Sequence, residues 1–202
     1  MTPAEALAVL VASGAPAAEA AAAVEGVAGW LAVYPAAVAA PALAAPADPV
    51  SALHGLARLR EAGVPPASSA ALAPLLRLLG GSATLASVVV AEGAGWPVLL
   101  ATVDEVPRRD VAAHVALLAA GGATGPVTRL VLQAALRRHR RRELVRIGGR
   151  DLLGLASVDE TVREISALAE GLIETAIVSV RARLAGEWGE ARAPGEDRPA
   201  FF

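Results

Sequence analysis

Apolar residues recur along this chain at three- and four-residue steps, in runs of helical length that prolines and glycine pairs divide. That period belongs to helices buried along one face, so the pattern predicts an all-α, multi-helix bundle with a long C-terminal helix. Thr2-Pro3-Ala4-Glu5 combines a capping residue, proline at the first helical position and glutamate at N3, a capping box that opens the first helix. Gly14 ends it. Pro16 opens a second helix to about Leu31, and Tyr34-Pro35 begins a segment whose prolines allow only short helices. Asp48-Pro49 repeats the start signal for a helix carrying Leu53, Leu56 and Leu59, which Gly63 and Pro65-Pro66 stop. Leu72, Leu75, Leu76 and Leu79 continue the pattern as far as Gly80-Gly81. Ser82 then caps a helix to Ala91, and residues 93–97 form a turn.

Pro107 and Arg108 open a further helix in which Val111, Val115 and Leu118 share a face, closed by Gly121-Gly122 and Gly125-Pro126. From Pro126 the composition changes. An apolar start (Leu130, Val131, Leu132, Leu136) runs into Arg137, Arg138, His139, Arg140, Arg141 and Arg142. Ser157-Val158-Asp159-Glu160 is a second capping box, followed by Val162, Ile165, Ala169, Leu172, Ala176, Val180 and Leu184 at helical steps. These predict the inward face of a helix from about Val158 to Glu187, about 45 Å long. The sequence divides into an N-terminal helical region (1–125), an arginine-rich helix plus the long helix (126–188), and a polar linker (189–202) ending on Phe201-Phe202.

Composition narrows the chemistry. With 55% apolar and 19% charged residues the chain can bury a core, and alanine with few aromatics favours close helix packing. All 18 basic residues are arginine, so a Walker A loop and a kinase-type lysine clamp are excluded. The absence of cysteine removes disulfides, thiol nucleophiles and Cys-type zinc sites. The most apolar stretch, Val27 to Ala47, is divided by Pro35, Pro41 and Pro46 and is alanine-rich, which argues against a spanning helix. No basic n-region precedes it, so the expected compartment is the cytoplasm.

The histidines at 54, 114 and 139 lie too far apart for a local zinc motif and read as surface or semi-buried side chains. Gly93-Ala94-Gly95 lacks a preceding strand and a third glycine at the dinucleotide spacing, and Gly80-Gly81 and Gly121-Gly122 read as helix terminators. Gly148-Gly149 followed by Asp159 imitates a polymerase-beta-type nucleotidyltransferase site. That site needs a second carboxylate two positions on, along a strand, to hold divalent metal. Position 161 is threonine, and Asp159 and Glu160 suit a helix N-terminus. No catalytic, cofactor-binding or metal residue is expected in this chain.

Seven arginines occupy 137–150, and Arg137, Arg138, Arg141, Arg142, Arg146 and Arg150 cover most of a helical wheel. A nucleic-acid stripe would be narrower and accompanied by lysine or aromatics, while the net charge here is −2. Arg140 shares a face with Leu136, Leu144 and Ile147 and is expected to be tucked against another element. The rest suit either a solvated face or docking to an acidic or phosphate-bearing partner domain. The docking candidates are Arg137, Arg138, Arg140, Arg141, Arg142, Arg146, Arg150 and Asp151.

The run from Arg137 through Glu143-Leu144-Val145-Arg146-Ile147 to Arg150-Asp151-Leu152 resembles a segment of the bifunctional glutamine synthetase adenylyltransferase/adenylyl-removing enzymes. Asp159-Glu160-Thr161, Ile165-Ser166-Ala167-Leu168-Ala169-Glu170 and Leu172-Ile173 resemble that family's next helix, and Glu187-Trp188-Gly189 its end. Residues 75–101 are similar more loosely. Gly148-Gly149 departs from a bulkier pair and is expected to loosen its helix by about 1 kcal/mol per glycine.

The resemblance implies a two-headed enzyme that moves AMP on and off a tyrosine of glutamine synthetase. ATP and magnesium would serve attachment of AMP, and phosphate its removal, under the control of a PII-type nitrogen signal protein. In that family a polar linker leads to a strand and then to Gly-Lys-Leu-Gly-Gly and Ser-Asp-x-Asp motifs. Arg198-Pro199-Ala200-Phe201-Phe202 looks like the entry to that strand. The expectation is an N-terminal helical scaffold that stops before its nucleotidyltransferase domain, needs no cofactor of its own, and is inactive alone. The alternative is a non-enzymatic helical interaction module.

Overall fold

The computed structural model describes residues 1–105 and 108–190, all helix and connecting turns. The expected strand entry at 198–202 and the helix start at Pro107 lie outside the described residues. Contacts group the chain into two compact units that do not follow chain order: residues 1–105 with 144–158, and residues 108–143 with 159–190.

The first unit begins with α1 (Pro3–Ala12), closed at its N-terminus by the capping box expected from Thr2 and Glu5. The second expected helix is two, α2 (Ala17–Glu25) and α3 (Ala28–Leu31), because the chain leaves helical geometry at Val27. The proline-rich segment holds α4 (Ala36–Ala44), with Pro41 inside it. Next come α5 (Pro49–Glu61), α6 (Ser69–Gly81) and α7 (Ala83–Glu92), capped in turn by the side chains of Asp48, Ser68 and Ser82. Gly93 has φ +58, a left-handed conformation that glycine adopts without strain, and it breaks the helical path into a 3₁₀ turn. A further helix, α8 (Trp96–Glu105), follows where the sequence predicted only a turn. Pro97 stands in its first turn, a position that suits helix initiation.

Leucines from α1, α5 and α6, with Leu31, Leu43, Val103 and Val145, form the core of this unit. Its tightest approach is Gly80 on α6, where a Cβ would lie 2.3 Å from the Asp48 carbonyl oxygen. Gly148 and Gly149 are contact positions too: a Cβ would lie 2.9 Å from Leu85 Cδ1 at the first and 2.9 Å from Val103 Cγ2 at the second. The expected loosening is thus offset by close packing. Tyr34 is buried, and its hydroxyl donates to the Ala67 carbonyl at 2.7 Å. Residues 27–47 hold only short helices; among the described residues the one helical stretch long and apolar enough by itself to cross a membrane is Ala83–Asp104, while Ala36–Ala44 and Pro49–Glu61 reach that length only as a pair bent by 118°. Ala83–Asp104 contains the Gly93 break, and Leu85, Val89, Trp96, Leu99 and Val103 on it are core residues.

The second unit contains α9 (Val111–Ala120), residues 129–143 of α10 (Arg129–Leu152), and α11 (Val158–Trp188) from Asp159 onward. Arg108 is not helical; α9 starts three residues later, where the Asp110 carboxylate accepts from the Ala113 N–H at 2.8 Å. Its buried residues are His114 and Leu118, whereas Val111 and Val115 are half-buried. The small apolar core of this unit is Leu118, Ala123 and Leu132, with Val127, Ala135, Leu136 and Leu172 against it.

The long helix appears where expected but turned. Its buried line is Glu164, Leu168, Gly171, Thr175 and Ser179, while Val162, Ile165, Val180 and Leu184 of the expected inward face are exposed. Close approach explains the reversal, since α11 lies so near α9 at Gly171 that a Cβ there would come within 2.6 Å of His114 Cβ. Small residues permit that contact where a larger apolar side chain would hold the helices apart. Ser179 fixes the far end by donating to the Ala123 carbonyl at 2.5 Å.

Candidate functional site

Two groups of side chains stand out: the arginines of α10 and a buried charged cluster in the second unit. Arg137, Arg138, Arg140, Arg141, Arg142 and Asp151 are exposed. Arg140 is therefore not the tucked arginine. Along residues 129–143 the inward line runs through Leu132, Leu136, His139 and Glu143, and Arg140, next after His139, is turned from it by about 100°. The buried guanidinium belongs to Arg146, at 0% exposure. The arginines consequently do not encircle the helix in solvent. Arg150 is half-buried and donates from Nη1 to the Val103 carbonyl and from Nη2 to the Leu155 carbonyl, both at 3.2 Å. The exposed remainder is a block of five cations within six positions, interrupted only by His139.

The charged cluster joins four segments of the second unit. Arg109, just ahead of α9, ion-pairs through Nη1 with the Glu143 carboxylate on α10. Its backbone N–H donates to Glu164 Oε1 on α11 at 3.1 Å. His114 on α9 and His139 on α10 meet through Nδ1 and Nε2 at 3.1 Å, with ring planes at 80°. Glu143 Oε2 lies 4.0 Å from the same His114 nitrogen. Across the His–His contact one nitrogen must donate and the other accept, so at least one ring is neutral there. Glu143 meets the Arg109 cation, which compensates much of the cost of removing both charges from water.

His114 is thus neither a surface nor a semi-buried residue, as its sequence context suggested: it is fully buried, as is Glu164. The sequence did hold one signal for the cluster. Glu143 is the lone acid in the run from Arg137 to Arg150, one helical turn after His139. The burial of His114 and Glu164 closes them to a substrate in this arrangement, and the geometry suits holding helices α9, α10 and α11 together. Among the described residues, no group of three or more His, Asp and Glu side chains is arranged to hold a metal ion. Asp159 and Glu160 stand in the first turn of α11, the place their sequence suggested.

A family model described as glutamate-ammonia ligase adenylyltransferase matches residues 72–201. The bifunctional glutamine synthetase adenylyltransferase/adenylyl-removing enzyme of Nitrosococcus oceani is 52% identical over 50 residues, 25% of this chain. That stretch spans only 5% of the relative's own length. No solved structure matches the chain. The family match covers more than half of the chain, including α7 to α11 and therefore both the arginine block and the charged cluster, so the chain belongs to the glutamate-ammonia ligase adenylyltransferase family.

Proposed function

We propose that this chain is the helical scaffold of an enzyme that adenylylates and deadenylylates glutamine synthetase, positioning a nucleotidyltransferase domain in cis without supplying catalytic residues. The observation that carries the reading is the family match over 72–201, supported by the printed activity of the Nitrosococcus oceani relative. ATP and magnesium belong, in this reading, to the catalytic domain. Glutamine synthetase is the substrate, a PII-type signal protein the regulator, and the cytoplasm the compartment. The exposed block of Arg137, Arg138, Arg140, Arg141 and Arg142 is the docking surface, since five cations close together in water favour an acidic or phosphate-bearing partner. Arg146, being buried, acts by holding its helix in place.

The test is a titration of the 202-residue chain against a separately expressed nucleotidyltransferase domain of a longer relative. Salt-sensitive binding is expected, weakened at least about tenfold when Arg137, Arg138 and Arg141 are together changed to glutamate. Absence of binding at low salt would remove the docking role. A second assay supplies the isolated chain with adenylylated glutamine synthetase, phosphate and magnesium. No AMP release is expected, and measurable release would overturn the non-catalytic assignment.

A further inference from the structure

Within the second unit, residues 127–136 and 176–183 enclose a cavity of about 400 Å³. Side-chain size opens it: α11 offers Ala176 and Ser179 to this side, too short to fill the space left by Leu132 and Leu136 of α10. The Ser179 hydroxyl donates to the Ala123 carbonyl, so it brings no donor to the cavity. The volume lies within the range of small-molecule sites, about 300–1,000 Å³. A partner helix would instead need an apolar groove running over several turns.

The charge of the lining has one sign. Arg129, Arg183 and the amide of Gln133 line the cavity, and no aspartate or glutamate among the described residues does. Arg109 bonds to both Glu143 and Glu164, Leu136 and Leu172 share one core, and the cavity joins 129–136 to 176–183. Numbers thus fall along α10 as they rise along α11, so the two helices run antiparallel here. Arg129 and Arg183 therefore stand at one end of the cavity, and Leu136 and Ala176 toward the other. Among the described residues, the Arg129 guanidinium has no hydrogen-bond or ion-pair partner. Arg183 has Glu187 one turn on at 3.9 Å, an exposed pair of the kind that contributes little.

The rest of the wall is hydrocarbon, from Val127, Leu132, Leu136 and Val180. Water there finds few polar partners, and an apolar group displaces it favourably. A guanidinium, for its part, donates two parallel bonds to a carboxylate. Cations at one end and hydrocarbon along the remainder complement a molecule with an anionic end on a short apolar body. Because Glu187 already offsets part of the Arg183 charge, one negative charge matches the site better than two.

We propose that this cavity binds a small amphipathic monocarboxylate, its carboxylate held by Arg129 and Arg183 and its hydrocarbon lying on Leu132, Leu136 and Val180. The site uses none of the five arginines assigned to docking, so it stands or falls apart from the adenylyltransferase reading.

Isothermal titration of the full chain with octanoate should show saturable binding to one site at about 1 mM or tighter. Acetate has the charge without the body and 1-octanol the body without the charge, and each should bind at least about tenfold more weakly. Arg129→Met and Arg183→Met together should reduce octanoate binding to the level of 1-octanol. Val180→Glu sets a carboxylate in the cavity wall and should weaken octanoate at least about tenfold. Ile177→Glu makes the same change of charge on α11 outside the lining and should leave binding unaltered. Arg129, Ile177 and Val180 are exposed and Arg183 half-buried, and circular dichroism checks that the variants keep their helicity. Four results would each overturn the proposal: no saturable binding at millimolar octanoate, 1-octanol binding as tightly as octanoate, an arginine double variant that binds like wild type, or equal losses from Val180→Glu and Ile177→Glu.

Discussion

Gly171 of α11 sits directly against His114 of α9, leaving so little space that a Cβ on the glycine would lie 2.6 Å from His114 Cβ and 3.4 Å from the Val111 carbonyl. His114 is thereby held where its ring reaches His139, so one missing side chain helps to set the geometry of the charged cluster.

Gly171→Ala should destabilise the second unit by up to about 2 kcal/mol. Overpacking typically costs about 1–3 kcal/mol, of which the better helix propensity of alanine returns about 1 kcal/mol. Gly186, on the same helix with open space around it, is the control: Gly186→Ala gains the propensity without the clash and should stabilise. Urea unfolding of both variants decides the matter, and equal effects would show that the close approach is unimportant.

Glu143 is the carboxylate that meets the Arg109 cation, and both side chains are largely buried. Glu143→Ala should cost about 3 kcal/mol, the penalty for stranding a buried charge. The double variant Glu143→Ala with Arg109→Met should recover part of it, because the stranded guanidinium is gone. A double variant no more stable than the single one would show that the pair is not the source of the loss.

The helical caps were legible because each is a local rule: Thr2, Asp48 and Ser82 announce helix starts through an oxygen placed beside free N–H groups. The orientation of α11 was not. Hydropathy ranks Val180 and Leu184 above Gly171, Thr175 and Ser179, yet it was the smaller residues that allowed close helix contact. His114 and His139 are 25 residues apart, and nothing local to either sequence position specifies that they touch. The helix at Trp96 is hidden in the sequence because Pro97 after Gly93 and Gly95 reads as a turn residue, although it stands in a first helical turn.

Asp48 caps α5 through the Ser51 hydroxyl and backbone N–H, and these bonds hold its carboxyl below the ordinary value of 3.8. A carboxyl depressed in the folded state contributes stability above its unfolded pKa and loses it as pH falls through the folded one. Asp48→Asn keeps a cap but cannot titrate. Between pH 5 and strongly acid conditions, wild type should therefore lose more stability than the variant, as read from urea midpoints; parallel losses would remove Asp48 from the acid response.

Tyr34 responds at the other extreme. Burial raises its pKa above the ordinary 10.0, since the phenolate is disfavoured away from water. The contribution is complete below pH 10 and declines as pH rises toward the folded value, because the unfolded chain ionises first. Tyr34→Phe should lower stability by about 1 kcal/mol near neutrality by leaving the Ala67 carbonyl without its donor. It should also flatten the decline above pH 10, and a decline unchanged in the variant would place its cause elsewhere.

The inner line of α11 has a thermal consequence. Apart from Leu168, the residues that bury it are glycine, threonine, serine and glutamate, and the apolar core beside them is small. Heat-capacity change on unfolding follows exposed hydrocarbon and is reduced by exposed polar groups. Per residue, the second unit should therefore absorb less extra heat capacity when it melts than the leucine-filled first unit. Its stability should vary less steeply with temperature, so that cooling weakens the leucine core sooner than the helix held by Gly171 and Ser179.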